Sequence, residues 1–133
     1  MKKFSKAWKS STQARKQRKY RAQAPLHVKQ KLMSAHLEKT LRKEYKARSI
    51  PIRKGDEVVV LRGQFRKMRG AIKDVDLKGG KILVDGVKRK KVSGQEIEVP
   101  IDPSNVMVTK INLDDKKRRK FLDTRKVKVG GKL

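Results

Sequence analysis

The residues of this chain best equipped for chemistry are cations set between glycines. From Gly63 to Gly70 runs Gln64-Phe65-Arg66-Lys67-Met68-Arg69, with Arg62 just ahead of it. Glycine at either end permits tight turning and close backbone approach. Arg62, Arg66, Lys67 and Arg69 carry charge that reaches phosphate oxygens, and Phe65 offers a ring on which an unpaired base can stack. The same residues also fit a plainer role, with glycines making turns, cations solvated and Phe65 in a core. Spacing alone leaves both open. Further cations cluster at Lys2 and Lys3, at Arg15-Lys16-Gln17-Arg18-Lys19-Tyr20-Arg21, and at Lys88-Arg89-Lys90-Lys91. Others stand at Lys31, Arg42, Arg48, Arg53, Lys54, Lys117 and Arg118. Phe4 and Trp8 sit in the first basic stretch, where they can stack or plug a pocket.

Other chemistries find less support. Asp56-Glu57 and Asp74-x-Asp76 are paired carboxylates, but no His, Lys or metal constellation accompanies them, so turn capping and ion pairing are expected of them. His27 and His36 are the two histidines, and without cysteine they do not make a metal site. His27 can contact RNA, or it can be exposed or packed. The Gly63–Gly70 segment lacks the Gly-Lys-Ser/Thr ending of a phosphate-binding P-loop. No cofactor and no enzymatic activity are expected.

The charge balance favours a polyanion as partner. Of 133 residues 39 are Lys or Arg and 13 are Asp or Glu, a formal net charge of +26. Hydrophobic residues are 35%, against about 45–50% in an ordinary globular domain. A compact body with this charge repels itself, and nucleic acid is the polyanion best able to relieve it. No apolar run approaches a membrane span, and the first thirty residues hold no signal-peptide core. The absence of Cys fits a cytosolic compartment.

The charge is unevenly placed. Residues 1–48 hold 16 basic and 2 acidic side chains, residues 49–111 hold 14 and 8, and residues 112–133 hold 9 and 3. This predicts a basic N-terminal arm with short helices over 1–48, a domain over 49–111, and a basic C-terminal helix and tail over 112–133. A domain of about sixty residues is marginal alone, and the extensions bury too little to offset chain entropy, so a partner is expected to order them.

The elements that must position the cations follow from pattern. Ser11 to Ala24 has no Gly or Pro, yet its apolar content is thin for a free helix, so helix is expected there on RNA. Ala24-Pro25 ends it, and Val28 to Met33 suits a short helical turn. Ser34 reads as the N-cap of a helix whose stripe is Ala35, Leu37, Leu41 and Tyr45. Beyond Ser49-Ile50-Pro51 the pattern turns to β. Strands are expected at Val58–Leu61, Ala71–Val75, Ile82–Val87, Ile97–Ile101 and Val106–Ile111. Gly79-Gly80 and Ser93-Gly94 mark hairpin turns. Ile97, Val99 and Ile101 alternate as in a half-buried strand, and Pro100 places that strand at an edge. Asp114-Asp115 ahead of Lys116–Lys120 suits a helix start, with a disordered tail at Val129-Gly130-Gly131. Five short strands with Gly-rich turns suggest a mainly β fold, a small closed or half-closed barrel.

Gly55-Asp56-x-Val58-x-Val60-x-x-Gly63, Gly70-x-Ile72 and Val84-x-Gly86-Val87 together resemble the KOW motif. The flanks tighten the match: Ala24-Pro25-Leu26-His27, Lys31-Leu32-Met33-Ser34-Ala35, Arg48-Ser49-Ile50-Pro51-Ile52-Arg53-Lys54-Gly55-Asp56, Ile101-Asp102-Pro103-Ser104-Asn105-Val106 and Leu113-Asp114. In order, over roughly residues 13–125, they resemble universal protein twenty-four of the large ribosomal subunit in its archaeal and eukaryotic form. The chain departs at Arg66-Lys67, where many KOW sequences carry a basic-Gly pair. The resemblance implies an SH3-like five-stranded barrel flanked by basic extensions. It also implies binding of large-subunit ribosomal RNA, early assembly, a place near the polypeptide tunnel exit and a cytoplasmic location. Implied partners are that RNA, neighbouring large-subunit proteins and tunnel-exit factors, with no membrane insertion and no homo-oligomer. The cations named above, with Tyr20, His27, Gly63, Phe65 and Gly70, are then the expected RNA contacts. The competing readings are a transcription-associated KOW module, which has no need of so basic an arm, and a nonspecific DNA-compacting protein.

Overall fold

The computed structural model describes residues 4–130, so Lys2, Lys3 and Gly131 lie outside the described residues. Ala14–Gln23 (α1) and Leu26–Leu32 (α2) are helices separated by Ala24-Pro25, with Ala24 extended at ψ 136°, as a residue before proline prefers. The α1 segment is helical although it buries none of its residues.

The chain then enters a sheet. Its strands are Ser34–Leu37 (β1), Ser49–Pro51 (β2), Glu57–Val60 (β3), Arg69–Asp76 (β4), Lys81–Val84 (β5) and, later, Val106–Lys110 (β8). Lys88–Lys90 (β6) and Glu96–Glu98 (β7) form a separate two-stranded ribbon. Lys39–Tyr45 (α3) connects β1 to β2, and Lys116–Gly130 (α4) follows β8. The six strands hydrogen-bond in the order β2-β1-β8-β3-β4-β5, all antiparallel except β1 with β8.

Hydrogen bonding gives a six-stranded sheet with a two-stranded ribbon beside it, a mostly β fold as expected. Beyond the five expected strands the chain forms β1, β2 and β6. Leu37 N–H donates to Arg48 O at 3.1 Å and Glu38 N–H to Val108 O at 3.0 Å, so residues 34–48, read as arm, extend the sheet. The helix expected from Ser34 begins instead at Lys39. Ser34 is no N-cap: its hydroxyl donates to Lys31 O. Ala35 and Leu37 are buried while Ser34 and His36 are half-buried, a period of two that strand pairing exploits. Leu41 and Tyr45 do share the face of α3 that meets the core.

The core lies on the inner face of this sheet. Leu37, Val58, Ile82, Val106 and Val108 are wholly buried, each worth about 1.5–3 kcal/mol. Ile101 joins through a bridge to Ile82, and Val99 N–H donates to Val87 O. The expected alternation fails at Ile97, which is 41% exposed, because the ribbon projects past the edge of the core. Pro100 follows β7 rather than lying within it.

Gly70, expected to bracket a loop with Gly63, lies instead within β4, paired with Val58 of β3. A Cβ there would sit 2.3 Å from the Asp85 carbonyl oxygen and 3.0 Å from a Val84 methyl. Close approach, not turning, requires this glycine. Gly70→Ala is expected to cost about 1–3 kcal/mol, seen as a lower urea midpoint; an unchanged midpoint would show that β5 yields.

A second tie fixes α4. Arg118 donates to both Asp56 oxygens, at 2.6 and 2.7 Å, to Asn112 O at 3.0 Å and to Pro51 O at 3.1 Å. Asp56 also accepts from the Arg53 and Asn112 backbone N–H groups, each at 2.9 Å. Asp115 receives the Lys117 N–H at 2.7 Å and starts the helix, as its position predicts. The helix continues to Gly130, through residues expected to be a disordered tail.

Candidate nucleic-acid interface

The connection from β3 to β4 is a tight structure. Lys67 N–H donates to Val60 O, Arg66 N–H to Gly63 O and Met68 N–H to Phe65 O. Gly63 has φ +89° and Lys67 φ +72°. Lys67 thus takes a left-handed conformation, a strain of order 1–3 kcal/mol. That conformation turns the chain so that Arg62, Arg66, Lys67 and Arg69 are all exposed. Phe65 is half-buried and packs against the core, so the structure places it under the loop as an anchor.

In the arm, Arg15, Lys16, Arg18, Lys19 and Arg21 are exposed on α1. Tyr20 stacks on Trp8, ring centroids 4.9 Å apart and planes 16° from parallel, and meets Phe4 at the same distance. The arm's aromatics therefore gather on one another. His27, Lys31, Arg48, Arg53, Lys54 and Lys117 are exposed, as are Lys88, Arg89, Lys90 and Lys91 on the ribbon. Arg42 is half-buried and donates Nε–H to Leu37 O at 2.6 Å. Arg118, expected at the RNA, is 5% exposed and fully engaged inside. The signal for this was its spacing: four residues on stands Leu122, which is also buried, so both share one helix face.

Seven of the 13 acids form ion pairs within the folded body. Asp56 pairs with Arg118, Glu57 with Lys110, Asp74 with Lys54, Glu96 with Lys88, Glu98 with Lys73, Asp102 with Lys81 and Asp115 with Arg53. Hydrogen bonding to Lys54 and to the Val75 N–H holds the Asp74 carboxyl below its usual range. The Lys117 N–H and then Arg53 do the same for Asp115. Hydrogen bonding to Glu98 raises Lys73. Asp76 caps the β4–β5 turn, accepting from Lys78 and Gly79 N–H. The carboxylate pairs thus cap and pair, as their sequence setting predicts. Among the described residues no cluster of three or more His, Asp or Glu could hold a metal ion, and no helix is long and apolar enough to cross a membrane.

Two concavities gather cations that are distant in sequence. One, of about 440 Å³, lies between the first two helices and the β4–β5 turn, lined by Arg21, Lys29, Lys78 and Lys81 with Asp102. The other lies between α2, β2 and α4 and brings together Lys31, Arg53 and Lys117 beside Phe121.

Comparison with known proteins gives these features a context. Residues 11–125 match the family described as ribosomal protein L26 of eukaryotes together with its archaeal counterpart, protein twenty-four in the archaeal naming. The large ribosomal subunit protein uL24 of Korarchaeum cryptofilum is 47% identical over 114 residues, 86% of this chain and 87% of that protein. The protein of the same name from Methanosphaera stadtmanae is 47% identical over 113 residues, 85% of this chain and 97% of that one. The chain belongs to this family of ribosomal proteins, structural constituents of the large subunit rather than enzymes.

Proposed function

We propose that the chain binds large-subunit ribosomal RNA, joins the subunit early in assembly and lies near the exit of the polypeptide tunnel in cytoplasmic ribosomes. The observation that carries this reading is the division of charge. Seven acids are paired with cations of the folded body, whereas the β3–β4 loop cations and those of α1 have no acidic partner among the described residues. Phosphates would supply the missing anions, and release of counterions would drive binding. RNA shape and 2′-hydroxyls, more than base edges, would give specificity. Its neighbours there would be other large-subunit proteins and tunnel-exit factors.

The same reading includes the SH3-like five-stranded barrel. Supporting it, β8, β3, β4 and β5 are neighbours in order, Ile101 bridges Ile82, and Leu61 N–H donates to Asn105 O at 2.8 Å. The segment at 99–105 thus bridges to β5 at Ile82 and runs on into β8, the two outer strands of the four-strand run.

Sedimentation tests the function. The tagged chain is expected to co-migrate stoichiometrically with large subunits after a high-salt wash. Co-migration with RNA polymerase would favour the transcription-associated KOW module, and preference for duplex DNA over ribosomal RNA fragments would favour a DNA-compacting protein.

A further inference from the structure

The concavity between α2, β2 and α4 differs from the rest of the basic surface because its floor is apolar. Ile50 and Ile52 are buried beneath it at 1% and 6% exposure, and Phe121 lines it while 44% exposed. Its volume is about 230 Å³, smaller than the ~300–1,000 Å³ of pockets for drug-sized ligands. It suits one planar ring system. Lys31 of α2 and Lys117 of α4 are exposed on its margin. The guanidinium groups nearby are already committed, Arg53 to Asp115 and Arg118 to Asp56.

We propose that this groove receives one unstacked base of single-stranded RNA, with the flanking phosphates on Lys31 and Lys117. The inference rests on the RNA-binding reading above and adds a specific subsite to it. Charge complementarity selects the occupant: an apolar floor within a cationic margin matches a π-face flanked by phosphates, whereas an apolar protein side chain would leave the lysines unanswered. Aromatic side chains in basic grooves hold bases in this way with little sequence preference. Pro51 O, at the groove, already accepts from Arg118. Gln30, on the lining, is the one side chain there with both an amide donor and acceptor.

The test uses the full chain and two probes, a short single-stranded oligoadenylate and an RNA duplex of equal length. Phe121→Leu keeps an apolar side chain and removes the ring. It is expected to weaken oligoadenylate binding about tenfold and to leave duplex binding unchanged. Lys31→Gln with Lys117→Gln is expected to make the salt slope for the oligoadenylate shallower by about 1.4. In the wild-type chain the Phe121 ring resonances should move upfield with oligoadenylate and not with duplex, a reading that does not depend on how the variants fold. Unmoved resonances, or equal loss on both probes, would overturn the subsite while binding to large-subunit RNA persisted. A wild-type chain that failed to bind that RNA would overturn the broader reading instead.

Discussion

Asp56→Ala is expected to lower the free energy of unfolding by about 3–5 kcal/mol, because it strands a buried guanidinium. Arg118 is 5% exposed and Asp56 is fully buried, so neither charge can turn to water when its partner is lost. The same carboxylate also holds two backbone N–H groups, those of Arg53 and Asn112. Its loss therefore loosens the turn before β3 and the segment entering α4 together. Domains of this kind have only about 5–15 kcal/mol in total, so the variant should stand near unfolding in mild urea. Glu57→Ala, one residue on, breaks only the exposed pair with Lys110 and should cost less than about 1 kcal/mol. The double variant Asp56→Leu with Arg118→Met removes both charges and should recover part of the loss. If Asp56→Ala and Glu57→Ala gave equal urea midpoints, the pair would not be what fastens α4 to the sheet.

That pair also marks where the sequence stops being legible. Asp56 follows a glycine within a motif, and Arg118 lies in a run of five cations; composition makes Arg118 one phosphate contact among many. Only burial distinguishes it, and the clue to burial, Leu122 four residues on, depends on a helix face whose partner is 62 residues away. The strands from β3 to β5 were legible because Val58, Val60, Ile72 and Ile82 sit between strong turn residues, and local chemistry there agrees with the final pairing. β1 was not, because Leu37, Leu41 and Tyr45 satisfy a helical period. Pairing with β2 and β8 overrides that period at Leu37, a contact no local pattern records. The loop cations were legible as a group, since exposure is the ordinary state of Lys and Arg. Phe65 was not, because a ring beside cations serves a core or a base equally well until its packing is seen. The groove at Phe121 was beyond reach for the same reason: α2, β2 and α4 meet only in the folded chain.

Truncation to begin at Ala24 is expected to separate binding from folding more sharply than any single substitution. α1 buries no residue, and the Phe4, Trp8 and Tyr20 cluster lies wholly within the removed segment. Ala24 itself is 7% exposed, so the cut is placed before it. Stability should stay within about 0.5 kcal/mol of the full chain, as for surface changes generally. RNA binding should not. The segment carries nine cations, Lys2, Lys3, Lys6, Lys9, Arg15, Lys16, Arg18, Lys19 and Arg21, and each phosphate contact contributes about 0.7–0.9 to the salt slope. If half of them reach phosphates, the slope becomes shallower by about 3–4 and affinity for large-subunit RNA falls at least about a hundredfold at low salt. Equal affinity and slope in the truncated chain would place RNA recognition in the sheet and its β3–β4 loop alone. A loss of several kcal/mol in stability would instead make the arm part of the fold, through the cleft where Arg21 and Ala22 face the β4–β5 turn. The net charge of +26 predicts neither result. What distinguishes them is that the acids lie where the fold can use them, and the arm has none to spend on itself.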